Sequence, residues 1–97
     1  MMNFEQVDEK ISKNGYRRHT GVRTITDDET GISQKIYDYE HRKKLDMFSV
    51  YVSEYGSVES IEFTRVNFNR ETGKYTQAVT TIRNINELNK LFALIRV

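Results

Sequence analysis

A chain of 97 residues and 11.5 kDa, with a mean hydropathy of -0.69, is long enough for one hydrophobic core and too short for two. With no cysteine it has no disulfide, no thiolate zinc site and no thiol nucleophile, which suits a reducing, cytoplasmic setting. No apolar run approaches the roughly 18 residues of a membrane span, and the start "MMNFEQVDEK" is too acidic and polar for a signal peptide, so no membrane partner is expected.

The net charge of +1 conceals an uneven spread. Lys10, Lys13, Arg17, Arg18 and Arg23 lie in a stretch free of acids, and Asp27, Asp28 and Glu29 then arrive together. Asn, Ile, Lys and Tyr make up 28 of the residues while Ala and Pro supply two, a bias that AT-rich bacterial and phage genomes tend to encode.

Phe4, Val7 and Ile11 form an apolar stripe at helical spacing, with acids early, lysines late, Asn3 as N-cap and Asn14-Gly15 as stop. These signals predict a first helix over Phe4 to Lys13. Two segments, "DDETGIS" and "NRETGKY", repeat Glu-Thr-Gly behind polar turn formers, and each predicts a hairpin whose glycine supplies a positive φ. The flanks are rich in β-branched and aromatic residues. They predict strands over Tyr16 to Thr26, Ile32 to about Tyr39, Met47 to Tyr55, Ser57 to Asn67 and Lys74 to Ile82. The second of these also matches helical spacing through Ile32, Ile36 and Tyr39, so residues 32–45 stay open between strand and helix.

Alternation puts Phe48, Val50 and Val52 on one face of the central strand and Met47, Ser49, Tyr51, Ser53 and Tyr55 on the other. In the next strand Ile61 and Phe63 share a face, whereas Val66 and Phe68 share the opposite one. Either a bulge near Thr64 and Arg65 or a partner over the second face would account for it. "INELNKLFALIRV" closes the chain with a capping box at Asn84 and Glu87 and a stripe of Ile85, Leu88, Leu91, Phe92 and Ile95. The whole reads as a single α+β domain, residues 1–97, in which an antiparallel sheet of about five strands carries an N-terminal and a C-terminal helix on one face (α-β-β-β-β-β-α).

Catalytic chemistry is not signposted. His19 and His41 are the only imidazoles and neither sits in a nucleophile or metal motif; both read as surface residues, His41 in a solvated charge cluster. Asp38, Glu40 and Lys43 are the nearest approach to a metal-dependent nuclease set, with no third carboxylate indicated. The expectation is therefore a non-enzymatic protein that needs no cofactor and no metal.

What remains is a binding surface of Arg17, Arg18, Arg23, Tyr37, Tyr39, Arg42, Lys43, Lys44, Tyr51 and Tyr55. Tyr and Arg are the side chains enriched at interface hot spots, which favours a protein partner. The same residues could grip phosphates and stack on bases, with Tyr16 as a further platform, but 14 acids against 15 bases and a pI near 8.0 weaken that alternative. In element order the chain resembles double-stranded RNA-binding domains, although "NINELNK" stands where their second helix carries its basic signature, and no residue is carried over. It also resembles the broad plan of some anti-CRISPR inhibitors, with no shared motif. The resulting expectation is a small phage-type or mobile-element-type protein that acts as a stoichiometric inhibitor or adaptor of a larger host protein, with homo-oligomerisation open. Within "YRRHTGVRT", Gly21 predicts a bulge that re-aims Arg23, and Arg17 and Arg23 are expected to be exposed anchors whose reversal to Glu leaves stability nearly unchanged.

Overall fold

A computed structural model describes residues 2–95. Strand β1 (Met2–Asn3) leads into helix α1 (Phe4–Lys13), followed by β2 (Tyr16–Thr26), β3 (Ser33–His41), β4 (Asp46–Ser53), β5 (Ser57–Asn69), β6 (Lys74–Ile82) and helix α2 (Ile85–Ile95). The architecture is α+β, with six antiparallel strands instead of five. The additional strand is the two-residue β1, too short to leave an alternation in the sequence. It pairs Met2 with Val58, along the same side of β5 that β6 occupies further on.

Local signals produce their elements. Asn3 caps α1 by accepting from the amides of Glu5 and Gln6, at 2.8 and 3.3 Å. Gly15 ends the helix with φ 90°, and a Cβ there would stand 2.9 Å from the His41 ring. The two Glu-Thr-Gly turns are built alike: Gly31 donates to the Asp27 carbonyl at 2.7 Å and Gly73 to that of Asn69 at 2.8 Å, both with positive φ. Asn84 accepts from the Glu87 amide at 2.9 Å, and its own side-chain amide donates to the Glu87 carboxylate at 3.1 Å. Residues 33–41 are strand, which closes the choice left open in that region.

Both helices lie on one face of the sheet. Val7 and Ile11 of α1 and Leu88, Phe92 and Ile95 of α2 share a single buried cluster with Tyr16, Tyr39, Phe48, Val50, Val52, Ile61 and Phe63. Phe48 is its centre, with ring centroids 4.7 Å from Tyr16, 4.9 Å from Phe63 and 5.5 Å from Phe92.

The cluster covers only the middle of the sheet. At one end the β5–β6 hairpin runs beyond Asp46, the last β4 residue to pair with β5, and at the other the β2–β3 tip overshoots β4. The molecule therefore measures 47 × 28 × 23 Å, with a radius of gyration of 14.5 Å, above the roughly 13 Å of a compact chain of this length.

Candidate functional site

No described element covers the face of the sheet away from the helices. Register and alternation place on it Arg17, Arg23 and Ile25 of β2, Ile36, Asp38 and Glu40 of β3, Met47, Ser49 and Tyr51 of β4, Glu62, Thr64, Val66 and Phe68 of β5, and Tyr75, Gln77, Val79 and Thr81 of β6. Its centre is a polar ladder. Arg23 donates to both Asp38 oxygens at 2.6 and 2.8 Å, Ser49 donates to Asp38 at 2.7 Å, and Tyr51 donates to Glu62 at 3.1 Å. The guanidinium and the Ser49 hydroxyl hold the Asp38 carboxyl below the usual carboxylate range against the opposing effect of burial. Ile36 is fully buried on this face between its cross-strand neighbours Arg23 and Tyr51.

Beyond the ladder lies an apolar patch on the β5–β6 hairpin. Phe68 and Tyr75 pair directly across the strands with ring centroids 4.8 Å apart, 49 and 65% exposed, and Val79 is 58% exposed. Val66, Met47, Leu45 and Tyr75 line a depression of about 400 Å³ whose rim includes Glu40 and Lys44.

The β2 bulge forms a second, polar concavity. Three residues, His19, Thr20 and Gly21, stand between Arg18 and Val22 where β3 has only Asp38. Two residues are thus in excess, so the alternation is kept and Arg17 and Arg23 share the uncovered face; the expected change of side does not occur. The basic groups there are met by acids: His19 Nε2 lies 3.3 Å from Glu40, Arg23 forks onto Asp38, and Arg18 lies 3.2 Å from Asp8. Arg17 has no ion-pair partner among the described residues.

The ten residues singled out in the sequence do not form one surface. Tyr39 is corrected to a core residue: it is fully buried on the helix face, and its hydroxyl donates to Asp8 at 2.7 Å. Burial and that carboxylate hold its phenol well above the ordinary value. Tyr16 is likewise buried, not a stacking platform. Arg18 and Tyr37 belong to the helix side as well, where Tyr37 packs on Phe4 and the Arg18 guanidinium lies over both rings. Lys44 donates to the Ile95 carbonyl at 3.0 Å and so caps α2. Arg42 and Lys43 are exposed in the β3–β4 turn, Tyr55 is exposed in the β4–β5 turn at the opposite end, and Arg17, Arg23 and Tyr51 share the uncovered face, with only Arg23 and Tyr51 close along it.

His41 is also corrected. Its Nδ1 accepts from the amides of Lys43 and Lys44 at 3.0 and 3.2 Å and its ring packs edge-on against Tyr16, so it organises the turn instead of standing in a solvated cluster. Thr64 and Arg65 lie in unbroken register with both neighbours, and the β4–β5 irregularity falls between Tyr51 and Val52. The bulge expected near Thr64 is therefore absent, and Val66 and Phe68 simply face outward. Sequence reasoning missed Tyr75, directly across from Phe68, and Val79, across from Thr64, on that outward side.

Asp46, 4% exposed, is the one buried charged residue among the described residues, and it is satisfied by Tyr16 at 3.2 Å and by two nitrogens of the Arg65 guanidinium, each at 3.2 Å. No group of three or more His, Asp or Glu among the described residues could hold a metal ion, and no described helix is long and apolar enough to cross a membrane. In comparisons with known proteins, no family model, curated protein or solved structure matches the chain.

Proposed function

We infer that the chain is a non-enzymatic protein-binding module, a stoichiometric inhibitor or adaptor of a larger host protein, and that it docks through the uncovered face of its sheet. One observation carries this reading: Met47, Val66, Phe68, Tyr75 and Val79 lie together on that face with no described element over them. Aromatic and aliphatic groups flanked by a satisfied polar ladder match the apolar centre and polar rim of protein interfaces. Phosphate binding draws less support, because the arginines of the β2 bulge are mostly neutralised by their own acids.

Affinity capture from a bacterial lysate, with and without nuclease, tests the reading when wild type is compared with Phe68→Lys. The expected result is one dominant protein that resists nuclease and is lost with the variant. Material that disappears under nuclease assigns the face to nucleic acid, and a partner retained equally by Phe68→Lys removes the patch from the interface.

A further inference from the structure

The two outer strands of the sheet are protected very differently. On one side β2 interrupts its ladder with the three-residue bulge and carries Arg17, Arg18 and Arg23, devices that discourage further strand addition. On the other side β6 pairs with β5 through nine consecutive residues, Ile61↔Ile82 to Asn69↔Lys74, without irregularity. From Tyr75 to Ile82 it reads "YTQAVTTI", with no charge, no glycine and no proline, and every residue from Lys74 to Thr81 is exposed. A long, regular, uncharged edge is a template for another strand.

The direction of its free groups follows from one hydrogen bond. The Val66 amide donates to the Leu45 carbonyl at 3.2 Å, so even-numbered residues in this part of β5 turn their backbone groups toward β4 and odd-numbered ones toward β6. Arg65 faces Ala78 and Asn67 faces Thr76, so in β6 the even-numbered residues are engaged with β5. The backbone N–H and C=O of Tyr75, Gln77, Val79 and Thr81 therefore point outward.

We propose that β6 pairs antiparallel with the β6 of a second copy of this chain, around a two-fold axis at Ala78, to make one continuous sheet. The sequence is self-complementary in that register. Gln77 falls opposite Val79 and Tyr75 opposite Thr81, with their outward groups forming about eight inter-chain hydrogen bonds. Thr76 meets Thr80, a favourable cross-strand pair, and Lys74 meets Ile82, so no like charges are opposed. The smallest side chain of the strand, Ala78, sits on the axis. The contact is isologous and closes at two copies, which a two-fold edge pairing requires. It uses the strand edge and does not depend on the docking face proposed above, although it joins the two Tyr75–Val79 patches into one.

Light scattering or sedimentation equilibrium of the purified full chain, over roughly 1 μM to 1 mM, reads the association directly. The expected mass approaches twice the 11.5 kDa of one chain as concentration rises. Gln77→Pro removes an outward amide without removing a bond to β5 and is expected to abolish the dimer, whereas Phe68→Lys, which alters the face and not the edge, leaves it intact. The chain has no cysteine, so Ala78→Cys gives a register-specific readout. Across the axis the two Cα atoms would lie about 4.5 Å apart, within disulfide reach, while in Thr76→Cys the thiols would be offset by about 13 Å along the strand. Oxidation is expected to cross-link Ala78→Cys at least roughly tenfold faster than Thr76→Cys, consistent with that reach. A monomer at every concentration, a dimer that survives Gln77→Pro, or a dimer lost only in Phe68→Lys overturns the proposal. Should Gln77→Pro fail to fold by circular dichroism, equal cross-linking of the two cysteine variants overturns it as well.

Discussion

Across the β2–β3 ladder Arg23 presents a fork to Asp38, Nε at 2.6 Å from one carboxylate oxygen and Nη2 at 2.8 Å from the other. Asp38 is largely covered and accepts a further bond from Ser49, so the pair is better held than an open surface ion pair. Because the folded carboxyl titrates below its unfolded value, its contribution to stability is present above the unfolded pKa and is lost as pH falls through the lowered one. Thermal unfolding followed from pH 6 downward is expected to show a loss of stability below about pH 4 that is smaller in Asp38→Asn. Identical acid profiles for the two proteins would remove Asp38 as a contributor.

Phe92 joins α2 to the sheet through Phe48, and both rings are buried. Phe92→Ala leaves a cavity that α2 alone cannot close and is expected to cost about 3 to 5 kcal/mol in urea unfolding. Wild-type stability in that variant would show that α2 does not cover this core.

At the end of the same core, Asp46 relies on Tyr16 and Arg65, its only side-chain partners among the described residues. Burial and the adjacent Asp46 carboxylate hold the Tyr16 phenol well above its ordinary value, so it stays a donor to Asp46 into the alkaline range, where an ordinary tyrosine ionises. Arg65→Met leaves the buried carboxylate with one partner and is expected to cost about 1.5 to 3 kcal/mol, and Tyr16→Phe about 1 kcal/mol. The double variant is expected to depart from the sum of the two, since both donors serve one acceptor. Simple additivity would show that the groups act independently.

The boundaries of α1, β2 and β6 were legible because strong punctuation brackets them: Asn3 and Gly15 around the helix, Gly15 and the first Glu-Thr-Gly around β2, and the second Glu-Thr-Gly ahead of β6. The side chains of the site were less so. Tyr39 and Tyr51 look alike in the sequence, and only the pairing of Tyr39 with the core-facing Phe48 shows which is buried. The Asp8 carboxylate that receives the Tyr39 hydroxyl comes from a helix 31 residues away, a distance no local pattern spans. The outward placement of Val66 and Phe68 was readable from their parity against Ile61 and Phe63, whereas Tyr75 and Val79 needed the β5–β6 register.

Arg17 and Arg23 share the uncovered face and differ in ion pairing, since only Arg23 forks onto a carboxylate. Arg17 stands opposite Glu40 without an ion pair among the described residues, so Arg17→Glu loses no salt bridge, sets one exposed carboxylate across from Glu40, and is expected to cost no more than about 1 kcal/mol. Arg23→Glu removes a fork and sets a carboxylate against Asp38 and, further along the face, Glu62, and is expected to cost about 1 to 3 kcal/mol. Reversal of both together is therefore not neutral to the fold, contrary to what their shared exposure in the sequence suggests. Thermal melts of the two single variants decide the point, and Arg17→Gln, which neither breaks an ion pair nor opposes Glu40 with a like charge, is the change whose effect on partner capture reads as binding. Equal melting temperatures for Arg23→Glu and wild type would show that the fork onto Asp38 is idle and that both arginines are free to serve a partner.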